Sequence, residues 1–199
     1  MIESMVSDRP LPVGSKGHLA SGWWGMLALV FTEGALFAYL FFSYFYLALH
    51  SISQWPPSGL PHLNIAVPGT LILIAASVVV WWGERGIRRG EARRLIVGLS
   101  VAILLGVVFI GMQGVEWHNK SFKLSSSVYS SLYFTITGTH IAHVIVGLLM
   151  MVVLLLWTAL GYFTADRHAA VSIGAIYWHF VTVIWLVVFF VIYIVPRLG

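Results

Sequence analysis

Val128–Leu160 reads VYSSLYFTITGTHIAHVIVGLLMMVVLLLWTAL, a run without a single Asp, Glu, Lys or Arg. As an α-helix, its roughly 33 residues would measure about 50 Å at 1.5 Å per residue. That exceeds the ~30 Å hydrocarbon core of a bilayer, so the run spans it tilted or projects beyond it. Four further apolar runs flank it: Gly22–Leu49, Ala66–Gly83, Leu95–Val115 and Val171–Val195. The sequence therefore predicts an all-α membrane protein. Its single membrane domain over 1–199 is a five-transmembrane-helix bundle behind a short N-terminal segment, 1–20.

Composition agrees with this reading. The 199 residues are 59% hydrophobic and 9% charged, against about 25% charged in soluble domains. So few charges cannot coat a soluble globule, and so many aromatics do not occur in a disordered chain. The absence of cysteine excludes disulfides, zinc fingers, iron–sulfur centres and thiolate catalysis. The N-terminal MIESMVSDRPLPVGSKGH lacks an apolar h-region, so the first span is expected to direct insertion itself.

Loop charges set an expected orientation. Arg9, Lys16, Arg85, Arg88, Arg89, Arg93, Arg94 and Arg167 fall on one side of a five-span chain, whereas Lys120, Lys123 and Arg197 fall on the other. The positive-inside rule then places the N-terminus in the cytoplasm and the C-terminus outside. Trp23, Trp24, Trp55, Trp81, Trp82, Trp117 and Tyr193 lie near the expected interfaces, as an aromatic belt would. Gly138 with Gly147, and Gly25 with Gly34, are candidates for close helix approach.

Ionisable groups inside the membrane are costly and therefore informative. Four qualify: Glu33 in the first span, His140 and His143 in the fourth, and His179 in the fifth. Glu116 lies at the outer interface, where water is within reach. Counted from the outer ends of their spans, Glu33, His143 and His179 lie roughly 22–24 Å down and share a layer. Three uses of this layer stay open. It can fix helix register through interhelical hydrogen bonds. Its histidines can ligate haem or metal, either His140 with His143 or His143 with His179. Glu33 can carry a proton in a relay or transporter.

Read together, four motifs resemble subunit III of the haem-copper terminal oxidases. They are GMLALVFTEGALF with Thr32 and Glu33, then WPPSG with Trp55, Pro56, Pro57 and Gly59. QGVEWHNKSFKLSSSVYSSLYFTITGTHIAHVIVG follows, carrying Gln113, Glu116, Tyr129, Ser131, Phe134, Thr137, Gly138, His140, His143, Val144 and Gly147. YWHFVTVIW closes the series with Tyr177, Trp178, His179, Phe180 and Trp185. Two departures stand out. Thr182 occupies a position where the family often has aspartate, and this chain has five spans where longer members have seven.

The resemblance implies a non-catalytic subunit of a proton-pumping oxygen reductase fed by cytochrome c or, alternatively, by quinol. It implies no haem or copper in this chain, with both held by partner subunits. It also implies bound phospholipid, support of proton uptake, and a structural role for His140 and His143. Glu33 matches the family's carbodiimide-reactive acid. Expected partners are subunit I with extra C-terminal helices, subunit II, a small subunit IV and membrane lipids, with no nucleic acid. The expected location is the bacterial inner (plasma) membrane. Trp23, Trp24, Arg167 and His168, at the cytoplasmic span ends, are candidates for lipid contact. A five-helix haem b anchor is the competing class.

Overall fold

The computed structural model describes residues 21–51, 55–57, 59–61 and 63–198. The segment 1–20, with Arg9 and Lys16, lies outside the described residues. Five helices carry the chain: α1 Ser21–Leu49, α2 Leu63–Ile87, α3 Ala92–His118, α4 Val128–Ala159 and α5 Ala169–Phe189. All are long and apolar enough to cross a membrane, and α5 does so together with a π-helical turn, Phe190–Ile194, and a 3₁₀ turn, Val195–Arg197. No strand occurs among the described residues.

The sequence expectation ended the second span at Gly83 and began the third at Leu95, but the helices run on into the arginine-rich loop. Hydropathy marks where the lipid ends, whereas helical hydrogen bonding continues until the backbone is turned. Gly90 makes that turn at φ +80°, with its N–H and that of Arg89 bonded back to Ile87 and Gly86. Only glycine adopts this conformation without a Cβ penalty. At the other end of the molecule, Ser127 and Ser130 form a reciprocal capping box that starts α4.

α2, α3, α4 and α5 form a ring in which each helix packs on the next and α5 closes onto α2; α1 lies outside it, chiefly against α4 and α5. The ring encloses Trp178, Trp185, Phe109, Tyr133, Leu73 and Ile136, all fully buried. Trp178 fits because Gly106 and Gly147 leave room; a Cβ on either would sit 3.1 and 2.9 Å from its ring atoms. Across the α2–α3 crossing, Gly83 and Gly98 bring the backbones into direct contact. Of the glycines expected to mediate packing, Gly147 does so, while Gly25 faces open space.

The outer face of α1 keeps Phe31, Tyr39 and Phe42 between 65% and 80% exposed. Tyr193, expected in the aromatic belt, is instead fully buried. It belongs to the π-helical turn, which aims its hydroxyl into the bundle at Glu116.

Candidate functional site

Glu33 and His143 meet between α1 and α4, with His143 Nε2 3.0 Å from Glu33 Oε2. Two residues of equal expected depth thus form a pair. The other ring nitrogen of His143, Nδ1, lies 2.7 Å from the carbonyl oxygen of Thr139, one turn earlier. A carbonyl only accepts, so Nδ1 carries a hydrogen. The Nε2–Oε2 contact then holds one further proton, borne either by the imidazole or by the carboxyl. Both arrangements are neutral as a pair, which is the state a low-dielectric site favours.

The pair borders a cleft of about 220 Å³ lined by Leu29, Glu33, Ala142, His143, Val146 and Tyr177. The Tyr177 hydroxyl donates to the His143 carbonyl oxygen at 3.3 Å, joining α5 to the same place. Phe37 stacks edge-on against the His143 ring at 5.1 Å. The cleft is apolar apart from the acid, the histidine and the tyrosine hydroxyl.

The other two candidate histidines, His140 and His179, lie elsewhere. His140 is fully buried among Phe37, Phe109 and Trp185, and neither ring nitrogen has a hydrogen-bond partner among the described residues. His179 faces α2, with Nδ1 2.5 Å from Ser77 Oγ. Both nitrogens of His143 are engaged, so it has no free lone pair for an iron shared with His179 or His140. Among the described residues, no three His, Asp or Glu side chains converge on a metal-sized site.

The His179–Ser77 bond is the middle rung of a ladder that sequence reading missed. On α2, Thr70, Ser77 and Glu84 recur every seven residues. Each meets a partner on antiparallel α5. Ser172 Oγ donates to Glu84 Oε1 at 2.7 Å, and Trp185 Nε1 donates to Thr70 Oγ1 at 2.9 Å. Arg88 adds a 2.6 Å bond to Glu84 at the arginine end. Seven residues of helix place successive rungs about 10.5 Å apart. That distance is too great for direct proton transfer, so the ladder sets register rather than conducting. Thr182, at the position where an acid was expected from the family pattern, spends its hydroxyl on the Trp178 carbonyl oxygen one turn back.

Glu116 does not reach water. It is 4% exposed, and its Oε1 accepts from Tyr193 at 2.6 Å and Tyr133 at 3.1 Å while Lys120 Nζ lies 3.0 Å away. The two tyrosine rings and Lys120 cover the carboxylate, which position along the helix alone does not reveal. The signal available was the i, i+4 spacing of Glu116 and Lys120 beside an aromatic-rich α4.

The proposed lipid-contact residues share one end of the molecule. Gly22, beside Trp23 and Trp24, would place a Cβ 3.2 Å from Ile173, so α1 starts next to the start of α5 and to Arg167 and His168. Trp24 is 63% exposed there, and His168 Nδ1 donates to the Ala165 carbonyl oxygen at 2.6 Å.

The sequence that builds this arrangement is similar to those of known proteins. The family described as "Cytochrome c oxidase subunit III" matches residues 17–196. Over 177 residues the chain is 36% identical to a Coturnix japonica protein, 37% to one from Gallus gallus and 34% to one from Arabidopsis thaliana. Each is named cytochrome c oxidase subunit 3. The alignments cover 85% of this chain, 68% of the two bird proteins and 67% of the plant protein.

Proposed function

Since the chain belongs to the cytochrome c oxidase subunit III family, we propose that it is the non-catalytic third subunit of a proton-pumping oxidase that reduces oxygen to water. It is a multi-pass membrane protein and part of a terminal oxidase. Cytochrome c is the proposed electron donor, as in the names of the curated relatives; a quinol oxidase subunit is the alternative. The proposed location is a bacterial plasma membrane, with the arginine loop in the cytoplasm.

The observation that carries this reading is the Glu33–His143 pair. Its members come from two motifs 110 residues apart in sequence, and they meet beside an apolar cleft. In the proposed role, the pair stores one proton without net charge and braces α1 against the ring. The cleft, with Trp23, Trp24, Arg167 and His168 at the arginine end, accepts phospholipid. Support of proton uptake follows from stabilising subunit I rather than from conduction through this chain. The unpartnered aromatic face of α1 is the proposed seat of subunit I, including the extra C-terminal helices expected of it, with subunit II and a small subunit IV completing the complex. Haems and copper belong to the partners.

Purification through a tag on this chain tests the proposal. Recovery of a subunit I with twelve or more spans supports it, and a dinuclear copper site in the co-purifying subunit II identifies cytochrome c as donor. The competing haem anchor is tested on the isolated chain. A stoichiometric haem b signal in the reduced-minus-oxidised spectrum, lost in His143→Ala, overturns the subunit III reading.

A further inference from the structure

We propose that the loop joining α2 to α3 forms a second, separate binding site for an anionic glycerophospholipid. It needs only that the chain spans a membrane, and so stands apart from the oxidase assignment. Five arginines lie between Glu84 and Arg94, against two carboxylates that are already bridged: Glu84 by Arg88 at 2.6 Å and Glu91 by Arg94 at 3.3 Å. Arg85, Arg89 and Arg93 have no carboxylate partner among the described residues and carry the uncompensated charge.

Two tryptophans carry guanidinium groups on their faces, one of them from the uncompensated set. The Arg85 guanidinium lies 3.9 Å above the Trp81 ring and that of Arg94 lies 4.4 Å above Trp82. Beside them opens a shallow groove of about 640 Å³ lined by Trp82, Gly90, Glu91, Ala92, Arg93, Arg94 and the aliphatic Val97. From Val97 the surface of α3 continues towards the membrane centre through Val101 and Leu104, 38% and 63% exposed, spaced to lie along one face. A phosphate seated at Arg93 and Arg94 would therefore run straight into an acyl track. The head group is anionic because five arginines face two carboxylates in this segment, leaving a net positive charge. Both carboxylates are engaged, and the Trp81 and Trp82 faces already carry guanidinium groups.

The full chain in detergent micelles carrying equimolar phosphatidylglycerol and phosphatidylcholine provides the test, read by native mass spectrometry. The expected result is one retained phosphatidylglycerol per chain, with little phosphatidylcholine. Arg93→Gln, an exposed change outside the helix contacts, is expected to lower retention about fivefold. Arg89→Gln removes an equal charge from the same loop but not from the groove, and is expected to lower it less than twofold. Equal loss in both variants, or equal retention of the two lipids, overturns the site in favour of diffuse attraction. Displacement by excess inorganic phosphate overturns the acyl track and leaves a small-anion site. A photo-crosslinker at position 97 that reacts with a protein neighbour in native membranes, rather than with lipid, overturns the proposal altogether.

Discussion

Gly83 and Gly98 touch where α2 crosses α3, yet alanine should be accepted at one and refused at the other. A Cβ on Gly98 would sit 3.0 Å from Gly83 Cα, 3.0 Å from the Val79 carbonyl oxygen and 3.4 Å from Gly83 N. All three are backbone atoms, so no side chain can rotate away and the helices themselves must part. Restoring an ordinary carbon contact of about 3.5–4.0 Å separates them by roughly 0.5 Å or more, which forfeits a quarter to a half of the dispersion energy along the seam. Overpacking of this kind costs about 1–3 kcal/mol. A Cβ on Gly83 meets Gly98 Cα and Leu95 Cα at 3.5 Å and the Arg94 carbonyl oxygen at 3.6 Å, all ordinary contacts. Replacing glycine by alanine inside a helix also gains up to about 1 kcal/mol. That gain is common to both variants and cancels, so Gly98→Ala should fall below Gly83→Ala by about 1–3 kcal/mol, roughly fivefold to 150-fold in the folding constant. Denaturant-titrated unfolding in mixed micelles, followed by tryptophan fluorescence, measures the difference. Equal stability of the two variants, or the reverse order, refutes the reasoning.

Glu33→Gln retains a donor for His143 Nε2 and should cost no more than about 0.6 kcal/mol, whereas Glu33→Leu orphans that nitrogen and should cost up to about 1.7 kcal/mol. A double-mutant cycle with His143→Ala checks this, and a coupling near zero contradicts the pairing. Glu116→Ala strands Lys120, which is 12% exposed, and should destabilise by about 3–5 kcal/mol; adding Lys120→Met should recover much of the loss, which thermal aggregation in detergent would show. Trp185→Phe removes one rung of the α2–α5 ladder, but Thr70 Oγ1 still bonds the Ala66 carbonyl oxygen at 2.8 Å. That change should cost about 1 kcal/mol, while Trp185→Ala, which empties the ring centre, should cost about 3–5 kcal/mol by the same unfolding assay.

The five spans were legible because lipid allows only one backbone solution to a long apolar run. Depth was legible too. Counting residues from the span ends put Glu33 and His143 level, and they do meet. Depth, however, is one coordinate of two. His179 lies at the same level but on the side of α5 that faces α2, so it joins Ser77 rather than the pair. The missing coordinate, rotation about the helix axis, was partly written in α2, where Thr70, Ser77 and Glu84 mark one stripe at heptad spacing. It was overlooked because Ser and Thr bond their own helix so readily that they attract little notice. Glu116 was misjudged for a related reason. Proximity to the interface was equated with water, although neighbouring Tyr133, Tyr193 and Lys120 cover it. The close approach of Gly83 to Gly98 could not be read from glycine frequency, because Gly25 looks the same in sequence and touches nothing.

α1 lies outside the ring, and that position has a consequence for the order of events on the ribosome. It is made before the helices that hold it, α4 and α5. His143 follows Glu33 by 110 residues, an interval of about 5–20 s at the usual 5–20 residues per second. Throughout that time the acid sits in a hydrocarbon environment without its histidine. Ionised, it would cost about 2.5–3.5 kcal/mol near the middle of a helix on translocon scales. The Glu33–His143 bond is therefore a late contact, closed only once α4 has followed α1 into the membrane.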